Sequence, residues 1–233
     1  MDRLLGLIGG VSPESTPIYY AQLNDAARAE RGGAHSMPLL IYTLDFGVMQ
    51  DLYAAADWRG YEAQVAGAAD RLKAGGATAL AICSNTSHIG ADAARAATGL
   101  PVVHILDALA EALKEGGAKR PLLLGTPFVM EGGFYLPELN KRFDGDVQVP
   151  ADADRETVGR IIFTELAKGI VAEASRAAIR TIVEKAVSDG ADAVILGCTE
   201  LCMILSDDDV DAPVYDTTAL HAAAAARYAL GRD

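Results

Sequence analysis

Two stretches of this chain place a nucleophile at the end of an apolar run. One is Ala81-Ile82-Cys83-Ser84-Asn85-Thr86-Ser87-His88 and the other is Leu196-Gly197-Cys198-Thr199-Glu200-Leu201. In both, the run reads as a buried strand and gives way at once to small polar residues and a helix start. Cys198 leaves its strand through Gly197, and residues 199–205 read as helical. A thiol at a helix N-terminus sits near unpaired N–H groups and a positive partial charge, which favour its thiolate. The plain alternative is a buried structural cysteine; the Gly-Cys-Thr-Glu setting and the mirrored motif favour function.

Ser84, Asn85 and Thr86 offer a hydroxyl, an amide and a second hydroxyl in a first helical turn. Such a cluster is a cradle for a carboxylate. It is equally an N-cap, and one group can serve as both. Adjacent strand residues point to opposite faces. If Ser84 faces a ligand, Cys83 therefore faces the sheet core, and Cys202, one helical turn beyond Cys198, also reads as structural. His88 lies four positions after Ser84 on the same helical face. It either polarises the Ser84 hydroxyl, binds an anion, or caps and packs. No Ser-His or Cys-His triad is recognisable. Thr126 and Thr199 stand at strand exits as further hydroxyl donors.

Positioning these groups requires strands that end together. Leu4–Ile8, Leu39–Leu44, Ala77–Ile82, Pro121–Leu124 and Ala193–Leu196 read as strands. Residues near 15–31, 57–74, 105–116, 154–187 and 217–230 read as helices. This alternation, with continuously apolar strands, predicts an α/β fold with parallel sheets covered on both faces. Gly9 and Ser84 are about 75 positions apart, and Gly125 and Cys198 about 73. The near-equal spacing predicts two similar lobes, 1–104 plus 212–233 and 105–211, with the last helix returning to the first lobe. Ligands of open α/β sheets bind beyond the carboxyl ends of the strands, where all these motifs fall.

The formal net charge of −12 disfavours nucleic acid and anionic membranes as partners. No apolar run approaches the roughly 18–20 residues that span a bilayer, and no signal-peptide pattern opens the chain, so a cytoplasmic location is expected. Three cysteines give neither a disulfide framework nor a zinc pattern. Dinucleotide, Walker, nucleophile-elbow and metalloprotease motifs are absent, as is a PLP-lysine motif. No cofactor is expected.

The chain resembles the cofactor-independent aspartate/glutamate racemase family. The resemblance rests on Ile8-Gly9-Gly10-Val11-Ser12-Pro13-Glu14-Ser15-Thr16, Asn85-Thr86-Ser87-His88, Leu124-Gly125-Thr126 and Gly197-Cys198-Thr199-Glu200. It implies two pseudo-symmetric α/β lobes with the active site between them, a homodimer, and proton exchange at Cα of an amino acid or related dicarboxylic acid. In that chemistry one cysteine removes the α-proton and a second, on the opposite face, returns one, without PLP. Inversion needs an acid/base group on each face. Here Ser84 stands where the first cysteine is usual, so the chain resembles the subset with a hydroxyl residue at that position. Cys198 is then the base toward the L-amino acid and Ser84 assists on the other face, which implies turnover favouring the L-enantiomer. The resemblance assigns Gly10, Val11, Ser12, Asn85, Thr86, Thr126, Thr199 and Glu200 to substrate binding. Gln50 stands where an arginine is often found, and Lys168 corresponds to a lysine of the second lobe. A single-cysteine lyase or decarboxylase, and a binding protein that has lost inversion, are the alternatives that Ser84 leaves open.

Overall fold

In the computed structural model, residues 3–131 and 133–232 are described. The outermost positions of the expected first lobe, 1, 2 and 233, lie outside them. The strands are β1 (Leu5–Gly9), β2 (Leu39–Thr43), β3 (Ala79–Ile82), β4 (Val102–Val103), β5 (Pro121–Leu124), β6 (Ala193–Leu196) and β7 (Val214–Asp216). The helices are α1 (Thr16–Arg31), α2 (Phe46–Ala54), α3 (Trp58–Ala74), α4 (Ala91–Thr98), α5 (Ile105–Glu115), α6 (Pro127–Met130), α7 (Tyr135–Asn140), α8 (Asp152–Thr164), α9 (Glu173–Ser188) and α10 (Thr217–Ala229).

The chain divides into two compact units: residues up to Ile105 with those from His221 onward, and Leu106–Leu220. The first unit holds a parallel sheet in the order β2-β1-β3-β4. The second holds a parallel sheet in the order β5-β6-β7. Val214 pairs with Val194, which makes β7 part of the second sheet.

Strand alternation divides the core of the first unit. Ile8, Leu80 and Ile82 pack against Tyr61, Val65, Ala68 and Leu72 of α3 and Ala94 of α4. Leu5, Leu7, Ala79, Ala81 and Cys83 face the other way, onto Tyr19 and Leu23 of α1 and Ala222, Ala225 and Ala226 of α10. The last helix thus packs in the first unit's core through alanines, which permit close approach to the sheet. In the second unit, Leu122, Leu124, Val194, Leu196 and Cys198 pack on Val158 and Ile161 of α8 and Ile179 and Val183 of α9. Each such aliphatic side chain contributes about 1.5–3 kcal/mol when fully buried.

Two helices expected from periodicity take other forms. The run 154–187 breaks into α8 and α9, because a 3-10 turn at Leu166–Lys168 ends on Gly169 with φ 71°, a left-handed conformation suited to glycine. Residues 199–205 form only the 3-10 turn Leu201–Met203. The acidic stretch Asp207–Asp209 forms a further 3-10 turn, capped by Ser206, with Arg176 on Asp209.

Candidate active site

Because each sheet is parallel, the strand exits of each unit gather at one edge. At the β1 exit, the backbone N–H of Gly10 donates to Thr16 Oγ1 at 2.8 Å, and Ser15 Oγ donates to the Ser12 carbonyl at 3.1 Å. Gly10 has φ 89°, and a Cβ there would stand 2.3 Å from the Leu44 carbonyl, so only glycine fits. Gly10 and Ser12 are buried and Val11 half-buried, while Pro13 and Glu14 are exposed. Gln50 is exposed on α2 rather than in a loop; Asp45 caps that helix by accepting from the Gly47 and Val48 amides at 2.9 and 3.2 Å.

At the β3 exit, Cys83 is fully buried while Ser84 keeps 6% exposure. Burial pushes the Cys83 thiol far above its usual range. The Ser84 hydroxyl accepts from the Ser87 amide at 3.3 Å, so it does act as a cap, and Ser87 Oγ pairs with Tyr61 Oη at 2.9 Å. Asn85 and Thr86 are buried beside it, at the start of the 3-10 turn Thr86–Gly90 that precedes α4. His88 does not reach the Ser84 side chain. Its Nδ1 meets the Ser84 carbonyl at 2.7 Å and its Nε2 meets the Ile105 amide at 3.1 Å. A carbonyl only accepts and an amide N–H only donates, so Nδ1 carries the proton and Nε2 is bare. Of the roles open to His88 in the sequence, these bonds fit capping and packing.

Cys83→Ser is expected to leave Cα proton exchange unchanged while lowering stability by about 1–3 kcal/mol, the cost of a hydroxyl among apolar groups. Thermal unfolding and solvent-deuterium uptake measured on one preparation check both halves. A loss of exchange matching that of a Cys198 variant would reverse the assigned facing of Cys83 and Ser84.

At the β5 and β6 exits, Thr126 caps α6 by accepting from the Val129 amide at 3.4 Å. Gly197 is needed for closeness rather than for a special turn: a Cβ would stand 2.8 Å from the Leu124 carbonyl. Beyond it, Cys198 Sγ donates to Glu200 Oε2 at 2.9 Å, and Thr199 Oγ1 donates to the same oxygen at 2.9 Å. Thr199 therefore gives its proton to Glu200 rather than standing as a simple donor to a ligand. Cys202 Sγ donates to the Thr199 carbonyl at 3.2 Å, as a packed structural thiol does, and burial first and Asp216 second push it up to about 12.

The expected depression of the Cys198 thiol is reversed. Burial raises it well above the usual thiol value, and the adjacent Glu200 carboxylate adds to the rise. No α-helix begins there to oppose these effects. At rest Cys198 is a thiol whose proton points at a carboxylate. Tyr135, fully buried on α7, was not visible in the sequence as a neighbour; its hydroxyl is pushed up by burial and then by the nearby Cys198.

Lys168 is exposed at the end of the turn between α8 and α9. Arg176, in the first turn of α9, donates to the Ile204 carbonyl at 2.7 Å, beyond the β6 exit. The turn bearing Lys168 thus lies at the strand-exit edge of its own sheet. Among the described residues, no three His, Cys, Asp or Glu side chains are grouped to hold a metal ion, and no helix is long and apolar enough to cross a membrane.

Two parallel sheets, each flanked by helices and each carrying polar side chains at its strand exits, define an α/β fold class. Residues 8–225 match Asp/Glu/hydantoin racemase, and the chain belongs to that family. It is similar to a putative Asp/Glu racemase from Yersinia pestis, with 44% identity, 98% of this chain and 99% of that one covered, and a TM-score of 0.89. It is also similar to an aspartate racemase homologue from Pyrococcus horikoshii OT3, with 33% identity, 99% and 100% coverage and a TM-score of 0.83. The broad specificity amino-acid racemase RacX of Bacillus subtilis (strain 168) is 23% identical, over 93% of each chain. The chain is accordingly an isomerase of the amino-acid racemase type.

Proposed function

We propose that this racemase acts on aspartate or glutamate, favouring the L-enantiomer, with Cys198 as the base on one face of Cα and Ser84 serving the other. The observation that carries this reading is the Cys198–Glu200 hydrogen bond at 2.9 Å. It gives the buried thiol a proton acceptor, without which a raised thiol is a poor base. The thiol proton passes to the Glu200 carboxylate, and the resulting thiolate takes the Cα proton. The electron pair left on carbon spreads into the substrate carboxylate, which is stabilised by aimed donors in a site that excludes water. Asn85, Thr86 and the backbone of Gly10–Ser12 are assigned that role, Thr126 lies with them in function, and Lys168 supplies the cation for a carboxylate. Gln50, on an exposed helix face, is assigned to the rim. Ser84, a weak acid and base, relays a proton from solvent to the other face.

The test is incubation of the protein in deuterated water with L- and D-aspartate, L- and D-glutamate and a panel of neutral amino acids. Similarity to a broad-specificity racemase is the reason for the panel. The expected result is Cα deuterium and chiral inversion, with faster uptake from the L-enantiomer. Equal uptake from both enantiomers would remove the assigned asymmetry. Net loss of substrate would point to a lyase or decarboxylase, and binding without exchange to a protein that has lost catalysis.

A further inference from the structure

His88, His104 and His221 are 1%, 5% and 0% exposed, and their rings meet edge to face: His88 lies 4.6 Å from His104 and 5.3 Å from His221, centroid to centroid. Their place in the chain gives the cluster meaning. The chain leaves the first unit after Ile105 and re-enters it at His221. Ile105, the last residue before the first crossing, donates its amide to His88 Nε2 at 3.1 Å. His221, the first residue after the second crossing, meets the Val103 carbonyl through Nε2 at 2.8 Å and Tyr19 Oη through Nδ1 at 2.8 Å. The carbonyl fixes the proton on Nε2, so the Tyr19 hydroxyl donates to Nδ1. Both crossings are therefore tied to one buried cluster, and His88 connects that cluster to the Ser84 carbonyl at 2.7 Å.

We propose that this histidine cluster is a neutral clamp on the two chain crossings, and that His88 is a positioning residue that fixes the Ser84 exit against the start of α5. It rests on the proposed function only in assigning Ser84 to one face of Cα. His88 carries no proton in the reaction. Protonation would set an Nε2–H against the Ile105 N–H, two donors facing each other, and break the clamp.

The surroundings hold the ring neutral. Burial is the largest cause, and His104, His221 and Arg95, the titratable and charged groups acting on it, each disfavour a second positive charge; the bond to the Ser84 carbonyl opposes them. The balance holds His88 well below the ordinary 6.5. A base depressed on folding stabilises fully above its unfolded pKa and loses that contribution as pH falls below it, because only the unfolded chain then binds the proton. The first unit accordingly loses stability on acidification from about pH 6.5 downward, and His88→Phe removes that part of the slope.

Nitrogen-15 spectra of histidine-labelled protein read the clamp without reference to activity. His88 is expected as the neutral Nδ1–H form from pH 8 to pH 6.5, where a free imidazole is already half protonated. An imidazolium, or an Nε2–H form, in that range would overturn the proposal. Kinetics of His88→Asn and His88→Phe, on a substrate that the wild-type protein racemises, read the positioning. Asparagine keeps a donor where Nδ1 stands; phenylalanine keeps neither bond. His88→Phe is expected to lower formation of the opposite enantiomer by about 10²-fold, the cost of a misplacement of about 1 Å. Cα deuterium uptake into the L-substrate, which depends on Cys198, is expected to fall far less, and His88→Asn to restore most of the inversion. Equal loss of uptake and inversion in both variants would make His88 merely structural and overturn the positioning role. If His88→Phe does not fold, the wild-type spectra and the asparagine variant still decide. If the wild-type protein exchanges no amino acid, the racemase reading fails while the spectra still judge the clamp.

Discussion

Cys198→Ser is expected to lose Cα deuterium uptake from every amino acid the wild-type protein accepts, by about 10³–10⁴-fold in kcat/KM, the upper part of the range for a positioned acid–base group. The serine hydroxyl can still donate to Glu200, so the local bond survives. What is lost is acidity: a buried hydroxyl holds its proton far more firmly than a thiol, and Glu200 cannot take it. Because the side chains are similar in size and the bond is kept, thermal unfolding should change by only a few degrees. That separation of effects identifies chemistry rather than folding as the cause. A Cys198→Ser protein with near-normal exchange would move the base elsewhere and end the reading of this site.

Glu200→Gln is expected to cost about 10²–10³-fold at neutral pH, within the range of general base catalysis, and to change the shape of the pH profile. In the wild-type protein the thiol and the carboxylate share one proton, since Cys198 Sγ donates to Glu200 Oε2 at 2.9 Å. Transfer between them leaves the total proton count unchanged. The rate through this pair is therefore flat with pH as long as the pair holds one proton. Glutamine cannot accept the proton, so the thiol must release it to solvent. The log of the rate should then rise with pH at a slope near one until the thiol titrates. Removing the carboxylate's charge lowers the thiol from its wild-type position, but burial, the largest cause of the rise, remains. The slope thus persists through the neutral range. Rates of deuterium uptake at several pH values check this; a flat profile in Glu200→Gln would show that the proton has another acceptor.

Glu200 was legible in the sequence only as part of Gly197-Cys198-Thr199-Glu200, with a substrate-binding role. Its carboxylate turns back onto Cys198 because residues 201–203 make a single tight 3-10 turn rather than a helix. A side chain two positions after a strand exit can take many directions, and sequence spacing does not choose between them. His88 was similarly ambiguous. Spacing put it on the Ser84 face, but the ring bonds the Ser84 carbonyl and the amide of Ile105, 17 residues away. The long helices followed local periodicity, but the run 154–187 is broken at the left-handed Gly169, residues 199–205 make only a 3-10 turn, and the shorter helices α2, α4, α6 and α7 carry too few periodic positions to be read. The strand β7 escaped notice because three half-buried residues carry too little apolar pattern.

By itself the sequence determined the strand cores, the parallel α/β class, the placement of the polar motifs at strand exits, and the burial of Cys83 in the sheet core. These follow from apolar runs and from the two-residue period of a strand, which are local properties. Only the tertiary structure decided the protonation of the two decisive side chains. Whether a thiol or an imidazole holds its proton depends on burial and on partners brought from outside its own strand or turn. For Cys198 those are the buried surroundings and Glu200, which make a thiol of the expected thiolate. For His88 they are the Ile105 amide and two histidines packed edge to face on it, one of them 133 residues along the chain at His221, which make a clamp of a potential proton carrier.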